Sequence, residues 1–337
     1  MGEGSLGDER GVKVSVIIPV YNVERYLMRC LDSVFAAAHR LTAARADATV
    51  EMICVNDGST DASPALLSDW AARHPTGDGF SFVRIDKTNG GLGAARNAAL
   101  DVMTGDYVTF VDSDDWIPAS ALATFVAVAE ASGAALVVSS SFLRDKVRAA
   151  SAESTCPPRW RLLPAPRLAG RKVQYCAWNK LYRADLFRTR HYPATIYEDF
   201  PVTTDILCAV GMFALVDEPL YVYCTNAGAQ SLVRSPFTER KMRDSITVVR
   251  LVLETARRQT VPGLRRFALH QAANGHSSTI GQVWKSGDTI LMAAFCRAHQ
   301  NLCAAFPELA RRLTLKARYR LWRCRLATAG TDSPNGL

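Results

Sequence analysis

The sequence predicts an α/β protein with a mixed, mainly parallel sheet flanked by helices, followed by a helical C-terminal subdomain. Three observations lead to this prediction. Short β-branched runs alternate with segments of helical periodicity through the first half of the chain. Several of these runs are apolar without alternation, which is typical of strands buried on both faces of a sheet. After Pro236 the periodicity is helical almost throughout.

Seven apolar runs predict the strands, and each ends at a turn or at polar residues. They are residues 14–18, 50–56, 80–85, 107–111, 135–139, 214–216 and 220–224. Helical periodicity predicts helices between the first strands and through the last third of the chain. These helices cover residues 23–38, 94–103, 118–131, 241–259, 264–284, 289–305 and 308–327, with one more around Trp70.

The chain has 337 residues, which is enough for about two domains. We predict a flexible N-terminus at residues 1–12, a sheet domain at residues 13–232 and the helical subdomain at residues 233–327. Residues 143–171 are rich in proline and arginine and predict a mobile loop within the sheet domain. Residues 328–337 predict a disordered tail.

The composition is that of a soluble globular protein, with 48% apolar and 21% charged residues. The net charge of +8 suggests an anionic partner without choosing among nucleotide, lipid headgroup and nucleic acid. Nine scattered cysteines, without a C-x-x-C pair or a zinc-site spacing, indicate reduced thiols and a cytoplasmic protein. The polar N-terminus does not resemble a signal peptide, and no run of about 18 apolar residues predicts a membrane span.

Three carboxylates follow the fourth predicted strand within four residues, in the segment Asp112-Ser113-Asp114-Asp115. The carboxyl edge of an open α/β sheet is where ligands bind. Like charges placed so close are unfavourable unless a cation offsets them, and Mg²⁺ or Mn²⁺ takes carboxylate oxygens together with substrate phosphates. The alternative is an acidic turn that caps the next helix, but a cap needs only one of the three acids.

A second acidic strand end lies at Asp57, within residues 55–61. A carboxylate at a strand end can accept a hydrogen bond from the ring N–H of a nucleobase. The alternative is an Asx turn with an N-cap, which is the favoured interpretation of this segment taken alone. Two acidic strand ends in one sheet shift the balance toward ligand binding.

Four segments at the predicted strand ends form one specific combination. They are residues 14–22 (VSVIIPVYN), 55–61 (VNDGSTD), 89–97 (NGGLGAARN) and 112–115 (DSDD). In order and spacing they resemble family 2 glycosyltransferases of the GT-A fold, over residues 13 to 232. The resemblance implies an inverting enzyme that moves one sugar from a nucleotide diphosphate sugar, most often a UDP-sugar, to a hydroxyl of a glycan, a lipid-linked acceptor or a small molecule.

The resemblance implies a nucleotide-sugar pocket at the ends of the first strands. Pro19 and Tyr21 line the base and ribose, with Tyr21 stacked on or beside the base. Asn22 belongs to the same pocket. Asp57 reads the base, and Arg96 lies near the diphosphate or the base.

The resemblance also implies roles around the D-x-D element. Asp112 faces the ribose and the metal, and Asp114 is the firmest ligand of Mn²⁺ or Mg²⁺. Ser113 is placed with the donor, and Asp115 orients the donor sugar. The segment Trp-Asn-Lys-Leu around Lys180 resembles the acceptor-side segment of the family, in which the lysine meets phosphate or the donor sugar.

Residues 196–200 (IYEDF) resemble the element that supplies the catalytic base. We assign Asp199 as the base and Glu198 as its neighbour, with the reverse assignment open. In a single displacement, a carboxylate must take the acceptor's proton while the acceptor oxygen attacks the anomeric carbon. Two adjacent acids can raise the pKa of one of them toward neutrality. From the residues alone, the solvated start of a helix is an equal alternative.

Two further classes of function compete with sugar transfer by such an enzyme. A nucleotidyltransferase usually depends on a glycine-rich, basic loop after the first strand, where this chain has Pro19-Val20-Tyr21-Asn22. A non-catalytic nucleotide-sugar-binding protein would not need the Glu198-Asp199 pair. A processive polysaccharide synthase is disfavoured because the sequence has neither membrane helices nor a Q-x-x-R-W segment.

The last predicted helix is rich in cations interleaved with apolar residues. Its basic residues are Arg311, Arg312, Lys316, Arg318, Arg320, Arg323 and Arg325. This pattern suits either a peripheral membrane helix that faces anionic lipid or an amphipathic packing helix with a solvated basic face. A nucleic-acid partner is not expected, because no base-stacking platform accompanies the charge. A homodimer stays open.

Overall fold

The structure is a computed structural model that describes residues 11–144, 157–168, 175–225 and 236–328. Contacts divide the chain into two compact units. The sheet unit comprises the described parts of Met1–Leu163, Cys176–Tyr192 and Met212–Gly228. The helical unit comprises the described parts of Pro164–Tyr175, Pro193–Gly211 and Ala229–Leu337. The predicted α/β class with a helical C-terminal region is confirmed.

Eight strands in the described residues form one mixed sheet. They are β1 (Lys13–Val20), β2 (Thr49–Asn56), β3 (Phe80–Asp86), β4 (Tyr107–Phe110), β5 (Leu136–Arg144), β6 (Trp160–Pro164), β7 (Lys180–Arg183) and β8 (Met212–Tyr223). Their order in the sheet is β3-β2-β1-β4-β7-β5-β8-β6. The first four strands in this order are parallel, whereas β7 runs antiparallel to both of its neighbours. The carboxyl ends of β1, β2 and β4 therefore lie at one edge.

In the described part of the chain, ten α-helices accompany the sheet and build the helical unit. They are α1 (Leu27–Ala44), α2 (Ser63–Arg73), α3 (Leu92–Leu100), α4 (Ala121–Ser132), α5 (Asp199–Val210), α6 (Glu239–Arg258), α7 (Pro262–Ser286), α8 (Thr289–Ala305), α9 (Pro307–Arg312) and α10 (Leu315–Thr328). The first four follow strands of the sheet unit, and the last six belong to the helical unit.

The core of the sheet unit is built on the apolar central strands. Val16, Ile17 and Ile18 of β1 are fully buried, as expected for a strand covered on both faces. Helix α1 packs its apolar stripe against the sheet. The indole of Trp70 on α2 belongs to the same buried hydrophobic cluster. The Trp70 N–H donates to Asp32 Oδ1 at 2.8 Å, so its one polar atom is satisfied.

The helical unit is held by capped helices in close contact. The Thr238 hydroxyl accepts from the Lys241 N–H at the start of α6, and the Asp288 carboxylate accepts from the Leu291 N–H at the start of α8. On α7, a Cβ at Gly275 would lie 2.9 Å from a ring carbon of Phe200 on α5. A glycine at this position therefore permits the close approach of α5 and α7.

Several element boundaries differ from the sequence predictions. The two strands predicted at residues 214–216 and 220–224 form the single strand β8. The register of β5 against β8 shifts around Pro219, so the strand continues through the residues between the two predicted segments. The single helix predicted at residues 308–327 is two helices. Leu313 is extended (ψ 140°), and the Thr314 hydroxyl accepts from the Ala317 N–H to start α10.

The described part of the predicted mobile loop at residues 143–171 includes the end of β5 and the whole of β6, and the mobility of this segment stays a prediction. Residues 145–156 and 169–171 lie outside the described residues, as do residues 1–10 of the predicted N-terminus and 329–337 of the predicted tail. Residues 193–211, placed in the sheet domain by sequence, pack within the helical unit. The predicted boundary between residues 232 and 233 stays a prediction.

Two further properties concern the described part of the chain. No helix within it is both long enough and apolar enough to cross a membrane. The eight cysteines that it contains are free thiols.

A buried carboxylate ties three segments of the sheet together. Glu51 on β2 accepts from the Ser15 hydroxyl at 2.5 Å and from the backbone N–H groups of Thr104 and Gly105 at 2.6 and 3.1 Å. The Lys13 ammonium lies 3.2 Å away. Burial alone would raise the pKa of Glu51, but the hydrogen bonds from Ser15 and Thr104 outweigh it and hold that pKa below its usual value.

We expect the Glu51→Gln variant to lose about 1–3 kcal/mol of unfolding free energy at pH 7, because buried donors lose a charged acceptor. Since the folded-state pKa is lowered, this contribution is present above the unfolded pKa of about 4.3 and is lost as the pH falls through the folded value. The difference between the variant and the wild type should therefore shrink in acid. Urea unfolding at pH 7 and at decreasing pH measures both effects.

Glu130→Gln is the matched control, because Glu130 pairs with Arg45 at the surface and should contribute less than about 1 kcal/mol. Equal losses in the two variants would show that the Glu51 network has no special stabilising role.

Candidate active site

The candidate site lies where the parallel strands end. In the register of the sheet, Val20 of β1 pairs with Asn56 of β2, so these two strands end level with each other. The residue after β4 still lies beside β1, since the Val111 N–H donates to the Ile17 carbonyl at 3.0 Å. The loops after β1, β2 and β4 therefore share one edge, which is the usual ligand-binding edge of such a sheet.

The loop after β1 is held against the loop after β2. Asn22 has a left-handed backbone (φ +50°), its side-chain oxygen accepts from the Thr60 N–H at 2.8 Å, and its own N–H donates to the Ser59 hydroxyl at 3.1 Å. Pro19 is buried within β1, whereas the side chain of Tyr21 is 48% exposed. The Tyr21 ring is thus presented at the edge on a fixed loop.

Asp57, at the end of β2, holds the glycine turn that starts α3. Its buried carboxylate accepts from the N–H groups of Gly90 and Gly91 at 3.0 and 2.8 Å and from the Lys87 ammonium at 2.6 Å. Gly91 has φ +87°, a conformation that an L side chain would strain. A carboxylate has about four acceptor positions, so these three bonds leave one for a further donor. The predicted contact of Asp57 with a base stays a prediction.

Arg96 forms a buried ion pair with the first acid of the D-x-D element. The guanidinium on α3 is 1% exposed and donates to Asp112 Oδ1 at 2.9 Å. It lies 5.3 Å from the ring centroid of Tyr192 and 5.9 Å from that of Phe110. The structure thus brings Arg96 directly to the acidic loop, where its charge offsets one of the three carboxylates.

Asp115 points into the protein, toward the end of β8. Its carboxylate accepts from the Tyr221 hydroxyl and from the Cys224 N–H, both at 2.7 Å. The same hydroxyl accepts from the Asp112 N–H at 3.1 Å. Burial and the carboxylates of Asp114 and Asp112 raise the pKa of Asp115 to about 9. In this geometry Asp115 anchors the loop, and its predicted contact with the donor sugar stays untested.

Sequence reasoning missed Tyr221 and Cys224. Tyr221 is fully buried at the end of β8, 106 positions after Asp115 in the chain. The ring of Trp178 stacks on it with centroids 4.4 Å apart. No local pattern links a strand tyrosine to an acidic loop so far away; an antiparallel bridge between Trp116 and Val222 brings the two segments together.

Asp114 and Asp112 are the residues that we predict to hold a divalent cation. Burial, and then the nearby Asp112 carboxylate, raise the pKa of Asp114 to about 6. Such crowding of acids is relieved by a cation. Within the described ranges, no three His, Cys, Asp or Glu side chains are arranged to hold a metal by themselves. Two carboxylates suit Mg²⁺ or Mn²⁺, which completes its shell with phosphate oxygens and water.

Ser113 and Lys180 are both buried in the sheet unit. The Lys180 ammonium on β7 donates to the backbone carbonyls of Cys176 and Trp178, at 2.7 and 3.4 Å. The ammonium is therefore bound by the backbone of the residues that directly precede Lys180 in the chain. Its predicted contact with phosphate or the donor sugar stays a prediction.

The candidate base lies in the helical unit, at the start of α5. Asp199 is the first residue of the helix and is partly exposed, whereas Glu198 before it is buried. Acids at this position are favoured by the helix dipole. Tyr197 has a left-handed backbone (φ +67°), and the Ile196 N–H donates to Asp244 on α6 at 3.1 Å.

Backbone strain coincides with the segments that the sequence singled out. Four non-glycine residues in the described ranges have positive φ: Asn22, Asp78, Asn179 and Tyr197. Three of these lie in segments that resemble functional elements. Strained backbone is costly and tends to persist where function requires it.

Comparison with known proteins identifies the family. The model of glycosyl transferase family 2 matches residues 15–190, which is more than half of the chain. The chain belongs to glycosyl transferase family 2. The predicted membership of family 2 of the glycosyltransferases is therefore confirmed.

Two curated relatives of the chain are bacterial glycosyltransferases. It is 28% identical over 239 residues to the uncharacterized glycosyltransferase EpsJ of Bacillus subtilis, a match that covers 66% of this chain and 64% of EpsJ. It is 45% identical over 105 residues to glycosyltransferase GlyA of Streptococcus pneumoniae, which is 31% of this chain and 13% of GlyA. The chain thus spans less than two thirds of the length of either relative.

Solved structures show that the chain shares the GT-A fold. S. aureus TarS residues 1–349, in complex with UDP-GlcNAc, superposes with a TM-score of 0.69 at 19% identity, covering 95% of this chain and 91% of that one. The complex of the same protein with UDP gives a TM-score of 0.67 at 19% identity, with 94% and 88% covered. At this identity the likeness concerns the fold alone.

Proposed function

We propose that the enzyme transfers a single sugar from a UDP-sugar to an acceptor hydroxyl by a metal-assisted displacement that inverts the anomeric centre. The observation that carries the proposal is the acidic loop after β4. Its Asp112 and Asp114 lie at the same sheet edge as the loops of Tyr21 and Asp57. UDP as the nucleotide is supported by the TarS complexes, which contain UDP and UDP-GlcNAc.

The loops at this edge would form the pocket for the donor. Tyr21 offers an exposed ring on which a base can stack, and Pro19 supports the same loop from within β1. Asn22 fixes that loop to the neighbouring one. Asp57 keeps one acceptor position for a ring N–H.

The acidic loop would hold the metal through Asp114 and Asp112. When bound, Mn²⁺ or Mg²⁺ offsets the negative charge that develops on the leaving diphosphate. Arg96 pairs with Asp112 and sets the position of that carboxylate. Tyr221 holds the backbone of Asp112 and the side chain of Asp115, so the loop is organised before the donor arrives.

The proton of the acceptor hydroxyl passes to a carboxylate, for which we propose Asp199, with Glu198 as the alternative. The acceptor oxygen then forms its bond to the anomeric carbon while the bond from that carbon to the diphosphate oxygen breaks. An α-linked donor gives a β-linked product. The acceptor is a glycan, a lipid-linked or a small-molecule hydroxyl.

Membership of the family favours sugar transfer over nucleotidyl transfer. The glycosyltransferase relatives favour an enzyme over a non-catalytic binding protein. A cytoplasmic location and a homodimer stay predictions.

A thermal-shift screen tests the donor. We expect UDP-sugars with Mn²⁺ to raise the melting temperature, because a ligand at about 100 times its Kd stabilises the folded state by about 2.7 kcal/mol. GDP- and dTDP-sugars serve as matched controls, and EDTA should remove the shift. A UDP-sugar shift that ignores EDTA would contradict the metal, and a stronger shift with GDP- or dTDP-sugars would contradict the nucleotide.

A further inference from the structure

Helix α10 has two apolar stripes on opposite faces. The inner stripe is buried and consists of Ala317, Leu321, Cys324 and Thr328. The outer stripe has the same spacing and consists of Leu315 (82% exposed), Tyr319 (55%), Trp322 (54%) and Leu326 (55%). Each outer residue precedes an inner one by two positions, which is about 200° around a helix.

Among the described residues, the inner stripe faces the other helices of the helical unit. It packs against α7 and α8, which accounts for its burial. The outer stripe spans three turns, and its two aromatic rings lie together, with centroids 5.9 Å apart for Tyr319 and Trp322. Large apolar side chains exposed in a row are unusual on a protein surface and mark a site of interaction.

Cations border the outer stripe on both flanks. Helix α10 carries five basic residues and no acidic one. At about 100° per residue, Lys316 and Arg323 fall on one side of the stripe, and Arg318 and Arg325 on the other. All four are exposed. Long basic side chains can lay their stems along an apolar surface and extend their charges to anionic groups beside it.

The charge decides which partner fits. A second copy of α10 on the stripe would bring two sets of five cations together, which is unfavourable. An anionic bilayer accepts both features, since tryptophan and tyrosine favour the headgroup region and cations are attracted to acidic lipids. We propose that α10 docks on the surface of an anionic phospholipid bilayer through its outer stripe. Docking, taken together with the proposed function on which this inference of the acceptor depends, favours a lipid-linked acceptor.

Vesicle flotation with the full chain tests the docking. We expect binding to phosphatidylcholine vesicles that contain roughly 30% phosphatidylglycerol to be at least about ten-fold tighter than to pure phosphatidylcholine vesicles. High salt should weaken it, because surface charges are screened. Equal binding to the two kinds of vesicle, or none to either, would overturn the proposal.

A double variant, Tyr319→Ser with Trp322→Ser, should lower the affinity for the acidic vesicles at least about ten-fold, because it removes the aromatic part of the stripe. Ile290→Ser is the matched control, since Ile290 is 82% exposed on α8 and lies outside the stripe. Ile290→Ser should melt like the wild type, and the double variant close to it, because its two side chains are more than half exposed. Unchanged vesicle binding by the double variant would overturn the proposal.

Two further measurements separate this proposal from other outcomes. The wild type could form a dimer, with the double variant monomeric and neither protein bound to vesicles. That result would assign the stripe to a second copy of the chain and overturn the docking proposal. Donor binding is measured without vesicles, so its failure would count against the proposed function and leave the docking result standing.

Discussion

Asp114→Ala is expected to reduce sugar transfer by roughly a thousand-fold or more, because the leaving diphosphate would lose its main electrostatic stabilisation. The donor-induced rise in melting temperature should lose its dependence on Mn²⁺ in the same variant. Initial rates of transfer and thermal shifts, each with Mn²⁺ and with EDTA, measure the two effects.

The stability of the metal-free variant distinguishes a lost ligand from a damaged fold. Asp114 lies beside the carboxylate of Asp112, and its pKa is raised to about 6. Its removal relieves repulsion, so the melting temperature without metal should stay the same or rise. Asp69→Ala, an exposed acid on α2, is the matched control and should keep full activity. Transfer by Asp114→Ala at the wild-type rate would exclude Asp114 as the metal ligand.

Asp199→Asn is expected to bind the donor normally and to lose about 10²–10⁴-fold in turnover, because the amide cannot take the acceptor's proton. Its cost in stability should be small, since asparagine keeps the shape of aspartate and the lost negative charge at the start of α5 contributes about 1 kcal/mol or less. The measurement is kcat together with the donor-induced thermal shift. Wild-type turnover in this variant would remove Asp199 from the role of base.

Glu198→Gln decides between the two adjacent acids. The larger loss of kcat identifies the base, and a comparable loss in both would indicate that the pair acts together. Asp205→Asn is the matched control on the same helix, where Asp205 pairs with Arg258 at 2.9 Å. Its turnover should equal that of the wild type.

Much of the fold was predictable because it depends on local patterns. The continuous apolar run of β1 and the acids directly after β4 identified buried parallel strands and the ligand-binding edge. The limits of β8 were not predictable, because Pro219 resembles a strand break unless the partner strand is known to shift its register there. The break between α9 and α10 depends on a cap at Thr314, in a segment whose periodicity continues across it.

The sequence by itself determined the family, the α/β class and the residues that gather at the strand ends, because spacing along the chain carries that information. Only the tertiary structure decided the partners of these residues: Arg96 on Asp112, Tyr221 on Asp115, and the Lys180 ammonium on backbone carbonyls. It also decided which apolar stripe of α10 is covered. The reason is physical, since hydrogen bonds and burial depend on distances in space between residues that are far apart in the chain.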